Sequence, residues 1–129
     1  MKICDVVATN LTIPYPGEVR PAWQPGLVVT AHHFTLLRIL TDDGIVGVGG
    51  TSGHLASTIA TQVKPYLIGE DPFATERLAR VFRSAGSGIW CVDMALWDII
   101  GKAANLPLYR LWGQYRDKVP AYASAVEVG

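Results

Sequence analysis

A run of β-branched and short apolar residues over 2–12, KICDVVATNLT, predicts a first strand. Residues 14–31 interrupt it with Pro14, Pro16, Pro21, Pro25, Gly17 and Gly26, which predict a long irregular loop carrying Glu18, Arg20, Trp23 and Gln24. Asp43-Gly44 then supplies a positive-φ turn between His33–Thr41 and Ile45–Gly50, the signature of an antiparallel hairpin. Leu55, Ile59 and Val63 recur every four residues and predict a helix that Pro65 stops. A second helix is expected with Asp71 as its cap and Pro72 in its first position. It would turn Leu78, Val81, Phe82 and Ala85 inward and Glu76, Arg77, Arg80 and Arg83 outward.

Ser87-Gly88 opens the most apolar helical stretch, IWCVDMALWDIIGKAANL. With Ile89, Val92, Leu96, Ile99, Ile100 and Ala103 along it, this helix should be central and mostly buried, ending near Asn105 and Pro107. A short turn, PLYRLWG, leads to the Val- and Ala-rich RDKVPAYASAVEVG, which reads as a further strand. The pattern is α+β: three antiparallel strands, then helices.

Composition narrows the function classes. The 129 residues carry 11 Lys+Arg against 11 Asp+Glu, half of them are hydrophobic (50%) and only 17% are charged, so the chain suits one packed core. Its basic residues are scattered, the tightest group being Arg77, Arg80 and Arg83 on one helix face, so no nucleic-acid partner is expected. No apolar run approaches the roughly 20 residues of a membrane span, and Asp5 interrupts any signal-peptide core, so a cytoplasmic protein with no membrane partner is expected. Cys4 and Cys91 fit no CxxC spacing and read as reduced thiols.

Several chemical motifs are weak on inspection. GIVGVGGTSG contains closely spaced glycines, but it sits on a hairpin and not between a strand and a helix of a parallel unit. Gly47, Gly49 and Gly50 therefore read as positions of close backbone approach or of a bulge at the end of an edge strand. A Walker motif is missing because Leu96 stands where the glycine before Gly101-Lys102 belongs. His32 and His33 are adjacent and point to opposite sides of a strand, so they cannot share a metal without distortion; with His54 they leave a small metalloenzyme as one open reading. Asp93 and Asp98 lie about 140° apart around a helix, too divergent for a carboxylate pair, and suit hydrogen bonding at the helix ends or to neighbouring segments. An Arg beside a Trp on a loop suits gripping an anionic organic molecule, which marks Arg20 and Trp23; Thr51, Ser52 and His54 follow at the far end of the hairpin.

Two segments, LLRILTDDGIVGVGGT and VDMALWDIIGKAANLPLYRLWGQYRDKVPAYAS, carry a resemblance along essentially the whole chain. It resembles the amino-terminal capping domain of the enolase superfamily, in the mandelate racemase and muconate lactonizing enzyme branch. That resemblance implies a three-stranded antiparallel sheet with a helical bundle over residues 1–117. It also implies that residues 118–129 enter a (β/α) barrel, whose first strand would span 119–126.

Members of the family abstract a proton α to a carboxylate with a Lys or His base and stabilise the enediolate with Mg²⁺. Those groups sit on the barrel, and neither the KxK motif nor the later metal-binding Asp and Glu occur here. The resemblance therefore implies a lid that contributes substrate choice, inactive and metal-free on its own, from an acid-sugar dehydratase or racemase. Its partners would be a C-terminal barrel, a small carboxylate such as an acid sugar, and further copies in a homo-oligomer. Two lid loops match residues 15–31 and 50–54, which again marks Arg20, Trp23, Thr51, Ser52 and His54 as substrate-facing. A freestanding self-association module is the alternative from another class.

Overall fold

Three strands, β1 (Ile3–Val19), β2 (Val29–Thr41) and β3 (Val46–Ser52), pair antiparallel in the order β1-β2-β3, which leaves β2 central and the other two at the edges. The computed structural model describes residues 1–84 and 90–123; the side chains of 81–84 fall outside that description. The β2–β3 hairpin turns where expected. Gly44 adopts φ 81° and its N–H reaches Thr41 O at 3.1 Å, while Thr41 N–H bonds Ile45 O at 3.0 Å.

The proline-rich region is more ordered than its composition predicts. Strand β1 runs on through Pro14 and Pro16 to Val19, with Pro14 opposite Ala31 and a register irregularity between Pro14 and Val19. An edge strand tolerates this, because a proline can sit where the missing N–H would have faced away from the ladder. The irregular loop shrinks to residues 20–28, where Gln24 N–H bonds Pro21 O at 3.1 Å and Leu27 N–H bonds Gln24 O at 3.2 Å.

Pro65 does not end the first helical run. Helix α1 (Ala56–Thr58) passes through a π-turn (Ile59–Val63) into α2 (Lys64–Leu67), with Lys64 N–H bonded to Ile59 O five residues back. Widening the helix just before proline relieves the crowding its ring and missing N–H would otherwise cause. Of the expected Leu55, Ile59 and Val63, the last two are buried and Leu55 is half-buried, and Leu67 carries the spacing one turn further. Asp71 and Pro72 do not open the next helix. Asp71 instead closes a turn, accepting Phe73 N–H on Oδ1 and Ala74 N–H on its carbonyl, both at 3.0 Å, and α3 starts at Thr75 (Thr75–Ser84). Leu78 points inward, and Glu76, Arg77 and Arg80 are exposed. The expectations for Val81, Phe82, Arg83, Ala85, Ser87-Gly88 and Ile89 lie outside the described residues.

Helix α4 (Trp90–Ala104) crosses the sheet against β3 and β2, burying Cys91, Val92, Ala95, Leu96, Ile99 and Ile100. Ala103, expected to be buried, is exposed, because the last turn of α4 runs beyond the sheet-facing stripe. Gly47 and Gly49 permit this packing: a Cβ on either would collide with the carbonyl of Ala95 or Cys91. They serve close approach, as expected, and not a phosphate cradle. Asn105 at φ 52° ends the helix, with its N–H on Lys102 O and Leu106 N–H on Gly101 O, at 3.1 and 3.0 Å, a paired closure of the last turn. A short helix, α5 (Leu108–Leu111), follows. Residues 113–123 form no strand, and the rest of the expected 119–126 strand lies outside the described residues. A strand needs a partner ladder, and 119–123 pair with none of the three strands.

Candidate functional site

The pairing register gathers both loops of interest at one end of the sheet. Thr12 lies opposite His33 and Phe34 opposite Ser52, so β3 ends level with the Thr12–His33 pair. Strands β1 and β2 continue past that level to Val19 and Val29, where residues 20–28 join them. The turn after β3 and the β1–β2 loop therefore rise from the same sheet end, opposite the Gly44 turn.

The turn after β3 is fixed from below by a buried polar network. Gly53, at φ 89°, donates its N–H to His33 O at 2.8 Å. Thr35 is fully buried; its Oγ1 accepts Leu55 N–H at 2.8 Å and lies 2.8 Å from Gly53 O and 3.0 Å from Asn10 Oδ1. Asn10 Oδ1 also accepts Ala56 N–H at 3.1 Å. Two backbone N–H groups at the start of α1 are thereby satisfied by side chains of β1 and β2, which holds residues 53–56 to the sheet.

A histidine pair closes the top of this turn. His54 Nε2 lies 3.3 Å from Leu11 O and 3.3 Å from Thr12 Oγ1, and Thr12 Oγ1 lies 3.2 Å from His33 Nδ1. A carbonyl only accepts, so His54 Nε2 is the donor toward Leu11 O, while the Thr12 hydroxyl, able both to donate and to accept, bridges the two rings. The rings meet edge to face with centroids 4.7 Å apart. Among the described residues no group of three or more His, Cys, Asp or Glu is placed to hold a metal ion, so the donors present do not fit Mg²⁺.

Of the sequence candidates, Ser52 and His54 share this turn and are exposed. Arg20 and Trp23 stand on the other loop. Arg20 pairs with Glu18 at 2.8 Å, and Trp23 is 67% exposed. Thr51 is buried, only 2% exposed, with Oγ1 3.5 Å from Ser52 O. Sequence reasoning missed Asn10, Thr12, His33 and Thr35 as parts of this turn. The Thr12–His33 pairing could have been counted only from a regular hairpin, and the irregularity between Pro14 and Val19 removes that signal.

Elsewhere, Asp98 bonds a neighbouring segment as its spacing suggested, accepting Val48 N–H at 2.8 Å. Burial and nearby Glu76 push the Asp93 carboxyl above its usual range. Cys4 is exposed and Cys91 buried, the two are not joined by a disulfide, and burial pushes the Cys91 thiol up. No helix among the described residues is long and apolar enough to cross a membrane.

Residues 12–113 match the family model for the mandelate racemase / muconate lactonizing enzyme N-terminal domain. The chain is 41% identical over 100 residues to the D-galactonate dehydratase of Verminephrobacter eiseniae, a match covering 67% of this chain and 26% of that protein. It is 34% identical over 136 aligned positions to the D-xylonate dehydratase of Haloferax volcanii, covering 92% of this chain and 33% of that one. A crystal structure of an enolase-superfamily member from a Polaromonas species superposes with a TM-score of 0.82 at 32% identity, covering 100% of this chain and 38% of that one. The chain thus spans between 26% and 38% of the length of these relatives. With that match across most of its length and the same three-stranded sheet and helices, the chain belongs to the mandelate racemase / muconate lactonizing enzyme N-terminal domain family, the capping domain of the enolase superfamily.

Proposed function

We propose that this chain is the substrate-selecting lid of a Mg²⁺-dependent enzyme that removes a proton α to a carboxylate, an acid-sugar dehydratase or racemase, and that it is inactive alone. The observation that carries the reading is the shared position of residues 20–28 and 52–54 at one sheet end, the second of them pinned by Thr35, Asn10 and the His33–Thr12–His54 contacts. Two loops on a rigid base can cover a mouth beneath them, and closing one excludes water and strengthens the charge interactions inside. The base and the metal donors belong to a C-terminal barrel. The dehydratase names of the relatives support an acid sugar as the substrate class.

Within this lid, Arg20 offers a guanidinium to a carboxylate, and an arriving anion would compete with Glu18 for it. Trp23 offers an apolar wall, and Ser52 and His54 offer donors from the opposing turn. Thr51, only 2% exposed, offers no side chain to a substrate.

The test is a comparison of the 129-residue chain with the same chain joined to the barrel of the Verminephrobacter relative. The chain alone should turn over no acid sugar. The joined protein should turn one over, and Arg20→Ala or Trp23→Ala should raise KM severalfold and alter substrate preference. Turnover by the chain alone, or a preference indifferent to both substitutions, would overturn the reading.

A further inference from the structure

The contacts that close the turn after β3 also bring two imidazole nitrogens to one oxygen. Thr12 Oγ1 lies 3.2 Å from His33 Nδ1 and 3.3 Å from His54 Nε2, although the three residues come from β1, from β2 and from the turn. The ring centroids are 4.7 Å apart, a gap that one metal ion bonded to a nitrogen of each ring spans at about 2.0–2.1 Å per bond. The two histidines are also tied through the backbone, because His33 O accepts the N–H of Gly53, the residue before His54, at 2.8 Å. Thr35 and Asn10 hold the following N–H groups of Leu55 and Ala56. The pair is therefore preset by groups other than its own rings, as a ligand set must be. All three side chains are exposed, so an ion can reach them and keep part of its water.

We infer that His33 Nδ1 and His54 Nε2 form a binding site for a borderline divalent transition ion, represented by Zn²⁺, which clasps the 52–54 turn to β2. Two neutral imidazoles select that class, since Mg²⁺ and Ca²⁺ take oxygen ligands whereas imidazole suits Zn²⁺, Cu²⁺ and Ni²⁺. Among the described residues no third His, Cys, Asp or Glu joins the pair, so water completes the shell. The site is independent of the lid reading, because it needs only the fold of this chain.

The protein gives up little when the ion enters. The hydrogen bonds that the metal replaces, at 3.2 and 3.3 Å, stand at the long end of the usual range and are weak. His54 Nε2 must release the proton it directs at Leu11 O. In the neutral ring that proton moves to Nδ1, so the imidazole stays uncharged. Leu11 O and the Thr12 hydroxyl are then left to accept from metal-bound water. With half the ligand set of a structural zinc site, the pair should bind Zn²⁺ with a Kd between about 1 and 100 µM.

Calorimetric titration of the 129-residue chain with Zn²⁺ at about pH 7.5, where imidazole is mostly neutral, tests this, with Mg²⁺ as the comparison. Zn²⁺ should bind at one site, and Mg²⁺ at the same concentrations should not bind. His33→Ala and His54→Ala, both at exposed positions, should each weaken Zn²⁺ binding at least tenfold. His32→Ala, whose ring lies against Phe34, and Cys4→Ser, at the exposed thiol, should change it less than twofold. Imidazole nitrogen NMR of the unaltered chain gives a readout that no variant's folding can disturb: the metal should appear on Nδ1 of His33 and Nε2 of His54. Hydrogen exchange at Gly53 N–H, bonded to His33 O, should slow at least threefold when Zn²⁺ is bound. Absence of binding up to about 1 mM Zn²⁺ would overturn the proposal. Affinity lost in only one of the two alanine variants would mean an isolated histidine and overturn it too. So would metal on the other nitrogen of either ring, or unchanged exchange at Gly53.

Discussion

Asp98 Oδ2 accepts the backbone N–H of Val48 at 2.8 Å, so a helix side chain takes the place a fourth strand would have on the edge of β3. Lys102, one turn on, lies 2.7 Å from the same carboxylate oxygen and donates to Val46 O at 2.7 Å. The i,i+4 pair thus satisfies one donor and one acceptor of an edge that would otherwise template pairing with another chain. Asp98→Ala leaves Val48 N–H without its acceptor and Lys102 with Val46 O alone, and should cost about 1–2 kcal/mol in urea unfolding. Asp98→Asn keeps an acceptor oxygen and should recover part of that loss. Sedimentation should show more self-association for Asp98→Ala; wild-type stability and mass would contradict the role.

Gly49→Ala tests how tightly α4 lies on β3. A Cβ there would overlap the Cys91 carbonyl, a backbone atom that cannot swing aside like a side chain. The helix must lift, and overpacking of that kind costs roughly 1–3 kcal/mol or more. The control is Gly17→Ala, which meets nothing within 4 Å and should be close to neutral in the same denaturation series.

These glycines show what a sequence does and does not make legible. The spacing of Ile59, Val63 and the α4 residues announced the buried faces, because helix periodicity survives even a π-turn. Gly47 and Gly49 could be recognised as positions of close approach, since small residues on a hairpin strand have few other uses. Pro14, Pro16 and Pro65 misled, because proline's effect depends on whether its missing N–H faces a ladder or open space. That is set by strand order and by the helix widening, neither of which is local. At the candidate site, Arg20, Trp23, Ser52 and His54 could be marked by loop position. The partners Thr12, Asn10 and Thr35 could not, because an irregular pairing beyond Pro14 hides which residues stand opposite.

Thr35→Val should release the turn at residues 53–56. The valine has nearly the same shape, but it leaves Leu55 N–H and Gly53 O without the hydroxyl they meet at 2.8 Å in the interior. Unsatisfied buried polar groups cost about 1–3 kcal/mol. Hydrogen exchange at Leu55 and Ala56 should accelerate more than exchange in α4, where Ala95 and Ile99 are fully buried. In the barrel-joined protein the same change should raise KM before it lowers kcat. Uniform acceleration across the chain would mean that Thr35 supports the core as a whole and not the turn.

Acid should act on stability with two opposite signs. Lys64 Nζ at 2.6 Å and Val6 N–H at 2.8 Å hold the Asp5 carboxyl below its usual range, and Arg77 does the same for Glu70. Each contributes stability above its unfolded pKa that is lost as pH falls through the lowered folded value. Asp93 runs the other way: burial first, and then Glu76, raise its folded pKa, so its charged form costs stability at neutral pH and the cost disappears as it protonates. Urea unfolding from about pH 8 down to about pH 3 should therefore rise slightly through the range where Asp93 protonates and then fall as Asp5 and Glu70 do. Asp93→Asn should raise neutral-pH stability and remove the rise, while Lys64→Met should make the acid fall shallower. A wild-type profile that only declines, unchanged in Asp93→Asn, would show that Asp93 is solvated like an ordinary surface carboxylate.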